Sequence, residues 1–532
     1  TCALPICDIG ITSELMQENL FDTWPDIADY LDVIKIDYIW TLPDGTNPRV
    51  DKVQEDTWTP DATRYYDEEK GKVYFGVYET IKDFAANDGI DNPLYLSLYM
   101  ADTYLGMDIG TKEGREAQLQ ALKERFRPQD NEYGIGYDYW RSDFVVEQSY
   151  NYDSHEGLLW ILDNMIEYSD EFRYEHCSGA GSLKDFTTLE RMAFMTTEDT
   201  ARPLNHRMSL YANTYMISPT QLKGDLNMTY NDRDYGALTG YGPIIGYDEE
   251  GNMIDVWTDE DYVTYTLRTS MLGASMVCFN KEGLEMNLDT IKEHYDLYNN
   301  THRAILRDCN VYHILEAPTG WDWNDWDGIM YYNENIEKGT VQLFKENETA
   351  PDEKTIVLKG LDAATMYSLS FVDRTEQNTV MSGADLMTKG IKVTGMDTRY
   401  DSEIIYIEKL SDIDISVEAI FEDDNEDSRP EEVVIELVTN GESAGDDKLV
   451  LNKANGFKGV FENYQSVIGG DLVEYSIMAP DIEGYNYEIT GNASEGFVVK
   501  YTATKIDDKP VKPEEPKRSE ERRVGKECRS RW

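Results

Sequence analysis

YGIGYDYWRSDF, residues 133–144, decides how the first half of the chain is interpreted, because an apolar and aromatic stretch ends there in Arg141 and Asp143. Two stretches of similar texture, LDVIKIDYIW (31–40) and LYLSLYM (94–100), precede it. Helix-like segments separate these strand-like runs, and that alternation predicts parallel strands, here of a (β/α)8 barrel. Such barrels place their active-site residues just after the strands, where the polar residues of this stretch fall.

The segments between the predicted strands have the period of amphipathic helices. GREAQLQALKERF (114–126) and EGLLWILDNMIEY (156–168) repeat their apolar residues at intervals of three and four. We assign residues 7–307 to this α/β region, the predicted barrel.

Two further regions have the texture of antiparallel β structure. Residues 308–410 contain short strand-like runs separated by turn residues, and residues 411–506 contain a second set. A segment rich in proline and charge, residues 507–517, reads as a linker. The sequence therefore predicts one α/β domain followed by two all-β domains.

The two ends differ in texture from the rest. TCALPI (1–6) and the basic run at 518–532 resemble translated sequencing adapters, and we leave them out of the fold prediction. We therefore expect a longer protein, a barrel whose first strand is missing, and a secretion signal and an anchor outside this sequence.

Composition excludes several classes of partner. The chain has 532 residues and a formal charge of −54, which disfavours nucleic acid and anionic membranes. It contains no apolar run long enough to span a membrane. Cysteine and histidine spacing supports no metal site, and we expect no cofactor. Homo-oligomer formation stays open.

Acidic residues follow several predicted strands. Asp37, Asp143 and Glu175 each come near a strand end, as do Glu198 and Asp199 in MTTEDT. A retaining glycosidase needs two carboxylates beside the sugar, one ionised to attack and one protonated to assist departure. In a chain with 103 acidic residues a single acid is weak evidence, so the ordered set carries the hypothesis.

Residues 8–410 resemble glycoside hydrolase family 36, the family of retaining α-galactosidases. The resemblance rests on IKIDYIW, YWRSDF, EHCSGAG and MTTEDT, and then on VLKGLD (357–362), MYSLSF (366–371), SGADLMTKGIKV (382–393) and YDSEII (400–405). It implies Asp143 as nucleophile and Glu198 as acid/base, with Asp199 as the alternative acid/base. The substrate-binding residues that it implies are Asp37, Trp40, Arg141, Glu175, Cys177, Ser178 and Gly179.

The last β region resembles the B-type repeat of collagen-binding surface proteins of Gram-positive bacteria. Its matching segments are SRPEEVVIELVTNG (428–441), NGFKGVFENY (455–464), VEYSIMAPDIEGY (473–485) and TGNASEGFVV (490–499). The resemblance implies a prealbumin-like β-sandwich that acts as a spacer. It also implies a secreted or cell-wall-attached protein.

Several functions remain open at this point. The first is hydrolysis of terminal α-linked galactose-type residues from oligosaccharides or glycoconjugates through a covalent glycosyl-enzyme. α-N-Acetylgalactosaminidase or α-galactosaminidase activity is the close alternative, and a transglycosylase would share the intermediate. A carbohydrate-binding surface protein without catalysis is the alternative of another class.

Overall fold

A computed structural model of the chain describes residues 3–6, 28, 30–36, 66–74, 76–87, 95–99, 106–127, 134–142, 151–177, 185–196, 202–227, 256–278, 281–319, 323–423, 426, 429–468 and 471–504. The chain divides into two compact units, Thr1–Leu410 and Ser411–Trp532.

The first unit begins with a (β/α) barrel. Its β-strands are β1 (Ala3–Ile6), β2 (Val33–Ile36), the hairpin pair β3 (Tyr66–Asp67) and β4 (Lys72–Val73), β5 (Tyr95–Tyr99), β6 (Tyr139–Ser142), β7 (Arg173–His176), β8 (Phe194–Thr196), β9 (Leu222–Asn227) and β10 (Ala274–Cys278). Its α-helices are α1 (Val77–Asn87), α2 (Lys112–Arg125), α3 (Tyr152–Tyr168), α4 (Phe186–Leu189), α5 (Pro203–Asn213), α6 (Glu260–Ser270), α7 (Lys281–Met286), α8 (Leu288–Leu297) and α9 (Arg303–Leu306).

Eight parallel strands close the barrel in the order β1-β10-β9-β8-β7-β6-β5-β2. The sequence predicted a barrel without its first strand, and here the structure differs: Ala3–Ile6 pairs with β2 and contacts β10. The physical reason is that a curled sheet leaves two unpaired edges, and a short apolar run such as ALPI can satisfy the backbone groups of both.

Helix α3 shows how the sequence forms the outer layer. Leu158, Ile161, Leu162 and Met165 follow the spacing of one helix face and are completely buried against the sheet. Asn151 begins the helix, because its side-chain oxygen accepts a hydrogen bond from the backbone of Ser154 at 2.8 Å. The helical prediction for this segment is thereby confirmed.

The β domain that completes the first unit has β11 (Asn310–His313), β12 (Trp326–Asn333), β13 (Lys338–Lys345), β14 (Glu353–Ile356), β15 (Met366–Phe371), β16 (Thr379–Ser382), β17 (Ile391–Thr394), β18 (Asp401–Leu410) and helix α10 (Gly383–Thr388). An antiparallel sheet of order β11-β12-β13-β18-β15-β16 forms its centre, and β14 pairs with β17. Trp326, from the tryptophan-rich run at 321–328, lies in this core with no exposed surface. That burial supports a packing role for this tryptophan.

The second unit contains β19 (Ile413–Glu422), β20 (Glu432–Thr439), β21 (Glu442–Asn452), β22 (Lys458–Tyr464), β23 (Val467–Ile468), β24 (Asp471–Leu472), β25 (Tyr475–Met478), β26 (Tyr485–Asn492) and β27 (Gly496–Ala503). Two sheets, β22-β19-β27-β26 and β21-β20-β25, enclose one core. Phe421 and Tyr501 stack within it, with ring centroids 5.1 Å apart. The sandwich architecture predicted for this region is confirmed.

Candidate active site

The barrel interior contains an apolar lower layer near the start of the strands. Val33, Phe194 and Met276 are buried there, and Tyr95 and Tyr139 pack against them. Tyr139 and Phe194 lie 6.1 Å apart between ring centroids although β7 separates their strands. Contact across an intervening strand identifies these side chains as pointing into the barrel.

A polar layer lies one step further along the strands. Ser97, Arg141 and Thr196 each follow an inward-facing aromatic residue by two positions, so strand alternation puts them on the same inner face. Glu175 of β7 and Lys223 of β9 join this layer, and all of these residues are at least 94 % buried. The lower layer keeps water from one side of the polar groups.

Glu175 is the centre of this layer. Its Oε1 lies 3.2 Å from Arg141 Nε and 3.1 Å from Lys223 Nζ. Ser97 Oγ donates a hydrogen bond to the other carboxylate oxygen at 3.3 Å, and Lys223 Nζ donates to Thr196 Oγ1 at 3.4 Å. The carboxylate is therefore held by groups from three other strands, and two cations compensate its burial.

On the face of the sheet opposite to the polar layer, a second group of buried hydrogen bonds joins β6 and β7. Tyr174 Oη lies 2.5 Å from Ser142 Oγ and 2.7 Å from His176 Nδ1. The backbone N–H of Cys177 donates to the carbonyl of Ser142 at 3.0 Å. These bonds fix the last described residues of the two strands on both sides of the sheet.

The structure describes three of the predicted site residues and brings two of them together. Arg141 and Glu175 form the ion pair just described, and Cys177 follows β7 as a buried thiol. The other predicted residues lie outside the described residues, and they are Asp37, Trp40, Asp143, Ser178, Gly179, Glu198 and Asp199.

Sequence reasoning missed three members of the polar layer, Ser97, Thr196 and Lys223. Lys223 is the most consequential, because it is a second cation on Glu175. The segment LKGDLN alternates apolar or small residues with polar ones. That period-two pattern is typical of a strand, and it is the sequence signal that could have identified Lys223.

The described part of the chain also bears on metal binding and on membrane insertion. There, no group of three or more histidine, cysteine, aspartate or glutamate side chains could hold a metal ion. The helices that the structure describes include none long and apolar enough to cross a membrane.

Two family models match parts of the sequence. Residues 326–407 match the glycosyl hydrolase family 36 C-terminal domain, and residues 415–502 match the Cna protein B-type domain. The first match lies within the β domain of the first unit, and the second covers most of the sandwich. No curated protein sequence matches the chain.

Solved structures match about three quarters of the chain. The galactosidase domain of the α-galactosidase–sucrose kinase AgaSK has a TM-score of 0.56 at 14% identity, covering 77% of this chain and 54% of its own. AgaA of Geobacillus stearothermophilus, a family 36 α-galactosidase, gives 0.54 at 12% identity with 77% and 55% covered. The α-galactosidase of Lactobacillus brevis gives 0.53 at 11% identity with the same coverages.

These coverages mean that the chain spans about half the length of the solved structures that it matches. At such identities the agreement concerns the fold, while the two family models identify individual domains. The chain therefore has the barrel fold of the family 36 α-galactosidases, and it carries a glycosyl hydrolase family 36 C-terminal domain followed by a Cna protein B-type domain.

Proposed function

We propose that this chain is the catalytic part of a retaining α-glycosidase that removes terminal α-linked galactose-type residues. The observation that carries the proposal is the buried polar layer around Glu175, inside a barrel whose fold is that of family 36 α-galactosidases. Asp143 follows the last described residue of β6, and Glu198 follows that of β8 by two positions. We therefore propose that both carboxylates act at the edge of the barrel where such enzymes carry out chemistry.

The chemistry has two displacements. Asp143, ionised, attacks the anomeric carbon, while Glu198 donates its proton to the departing glycosidic oxygen. A water molecule then attacks the anomeric carbon of the glycosyl-enzyme after losing a proton to Glu198, and the bond to Asp143 breaks. Two inversions leave the original configuration, and the sum of the steps is hydrolysis.

The described residues support this division of roles. Arg141, two positions before Asp143 in the sequence, is held in place by Glu175. The two positive charges of Arg141 and Lys223 exceed the single negative charge of Glu175, and the excess favours the ionised form of a nearby carboxyl group, as a nucleophile requires. Asp37, Trp40, Ser178 and Gly179 remain proposed sugar contacts, and Asp199 the alternative acid/base.

The substituent at C2 of the sugar separates the close alternatives. An α-galactosaminidase would require a carboxylate available to the cationic amine, and Glu175 is the carboxylate that the polar layer contains. Because Glu175 Oε1 is within 3.2 Å of two protein cations, its charge is already compensated. This contact favours neutral galactose or N-acetylgalactosamine over galactosamine.

A surface location is part of the proposal. The Cna protein B-type domain is typical of surface proteins. We propose that the sandwich separates the glycosidase from the cell wall of the organism that makes it.

Hydrolysis of four aryl α-glycosides tests the function: galactoside, N-acetylgalactosaminide, galactosaminide and glucoside. We expect turnover of a galacto-configured substrate, a loss of more than about a hundredfold in Asp143→Asn, and full folding of that variant by circular dichroism. If the folded chain binds galactose without turning over any substrate, the non-catalytic alternative replaces this proposal. Products formed with an added sugar acceptor distinguish a transglycosylase.

A further inference from the structure

The β domain of the first unit contacts the barrel through charged side chains at a helix that follows the acid/base candidates. Helix α5 begins at Pro203, and Arg202 precedes it as the capping residue without a side-chain hydrogen bond to the helix. The Arg202 guanidinium instead donates to Glu346 Oε1 at 2.8 Å. Glu346 comes directly after β13 and is 96 % buried.

Glu346 is fixed from a second side as well. Tyr265 of α6 donates its hydroxyl hydrogen to Glu346 Oε2 at 2.7 Å. Arg207, one turn further along α5, has a nitrogen 3.8 Å from the same carboxylate. The Glu346 carboxylate therefore has little freedom, and a group bonded to it has a defined position.

Arg207 gives α5 a second anchor on the β domain. Its Nε and one terminal nitrogen bond to the two oxygens of Asp327 at 2.8 and 3.1 Å. Both partners are buried, and buried ion pairs contribute little net stability compared with apolar residues of the same size. What this arrangement provides is a fixed position and direction for the helix.

The position of this anchor in the barrel gives it a functional consequence. In a (β/α) barrel a helix begins at the edge where the strands end, which is the edge that carries the active site. Only residues 197–201 connect Thr196 to Arg202, and that stretch contains Glu198 and Asp199. Each residue spans at most about 3.6 Å, so fixing Arg202 limits where either carboxylate can be.

We infer that Glu346 is a positioning residue for the acid/base of the proposed glycosidase, acting from the β domain through Arg202. The inference rests on the proposed function and adds a role for the family 36 C-terminal domain. The β domain is thus part of the catalytic apparatus, since it holds the start of the helix that follows the acid/base.

The same interface offers a matched control. Arg268, near the end of α6, bonds Asp373 of the β domain at 2.6 and 2.7 Å. Within the described residues, the other bonds of Arg268 and Asp373 go to Ser402 and Glu403 of the β domain and not to α5. Asp373→Asn therefore removes an ion pair of the same chemistry that should not affect the acid/base.

The test compares Glu346→Gln with Asp373→Asn on two aryl α-galactosides, one with a good leaving group and one with a poor leaving group. Only the poor leaving group needs a proton from the acid/base. Because general acid catalysis is typically worth 10²–10⁴-fold, we expect Glu346→Gln to lower kcat/KM for the poor substrate about tenfold or more. The good substrate should change about threefold or less, and Asp373→Asn should leave the ratio of the two unchanged.

Hydrogen–deuterium exchange of the peptide that covers 197–206 gives a readout independent of turnover. Exchange there should increase in Glu346→Gln and stay at the wild-type level in Asp373→Asn. If Glu346→Gln fails to fold, Arg202→Met tests the same link, since it leaves Glu346 bonded to Tyr265. Equal effects on both substrates, or unchanged exchange, would overturn the inference. If the wild type is inactive on every glycoside, the proposed function is refuted. Hydrogen–deuterium exchange would still show whether Glu346 anchors the segment that ends at Arg202.

Discussion

The buried charges around Glu175 predict that removing its carboxylate costs more stability than removing one of its two cations. Glu175→Gln leaves Arg141 and Lys223 buried without the carboxylate that holds them, and removal of one partner from a buried ion pair costs about 3–5 kcal/mol. Lys223→Met leaves Glu175 paired with Arg141, and it also removes the cost of burying an ammonium group. We therefore expect a loss of about 1 kcal/mol or less for Lys223→Met.

The double variant tests whether the charges act together. Glu175→Gln with Lys223→Met removes one charge of each sign, so it should be more stable than Glu175→Gln alone. The coupling between the two sites should reach about 2 kcal/mol, within the range found for residues in contact. Additive losses would mean that Lys223 and Glu175 do not interact as the distance of 3.1 Å implies.

Urea unfolding followed by tryptophan fluorescence measures these changes in the right part of the molecule. Nine of the ten tryptophans precede residue 411, so the signal reports the first unit. A loss of about 3–5 kcal/mol is a large fraction of the 5–15 kcal/mol typical of a folded domain. The reasoning is refuted if Lys223→Met is as destabilising as Glu175→Gln.

Three further predictions concern stability. Burial lowers the pKa of His302 to about 3, and its Nε2 accepts a hydrogen bond from Gln342, so the neutral form is favoured in the folded state. The stabilising contribution of neutral His302 is complete above the ordinary pKa of 6.5 and falls by about 1.4 kcal/mol per pH unit below it, down to about pH 3. His302→Gln should therefore flatten the pH dependence of the urea-unfolding free energy across this range. An unchanged slope would contradict the assignment. Burial raises the pKa of Asp373, but the ion pair with Arg268 outweighs this effect and the net pKa is lowered. The stability lost in Asp373→Asn at pH 7 should therefore disappear in the same assay as the pH falls below 3.8. A stability difference that stays constant with pH would argue against the ion pair. Gly157→Ala would put a methyl group 2.0 Å from the Ile109 carbonyl oxygen and should lower the free energy of unfolding by about 1–3 kcal/mol. Thermal or urea unfolding measures this loss, with Glu156→Ala at an exposed position as the control. An unchanged free energy of unfolding in Gly157→Ala would show that the helix can shift.

Much of the architecture could be predicted because its signals are local. The apolar spacing of α3 and the alternating runs of the β regions gave the element types, and both family models fall in the predicted β regions. Strand β21 was not anticipated, since ESAGDDKLVLN is too polar at its start to read as a strand. Its pairing with β20 comes from the tertiary structure, which overrides local preference.

The polar layer was only partly predictable. A motif pointed to Arg141 and Glu175, but not to the contact between them. Lys223 reaches Glu175 across an intervening strand, and that proximity depends on barrel closure rather than on sequence spacing. The Arg202–Glu346 pair was missed for the same reason, because 144 positions separate its members.

The most direct test of the central claim is to identify the residue that becomes covalently attached to the sugar. The chain would be incubated with an activated fluorinated α-galactoside that forms a glycosyl-enzyme faster than water removes it, and then digested and analysed by mass spectrometry. We predict one labelled peptide, with the sugar on Asp143, and no label in Asp143→Asn. A label on Glu175 or Glu198, or turnover that releases the inverted anomer without any label, would contradict the proposed mechanism.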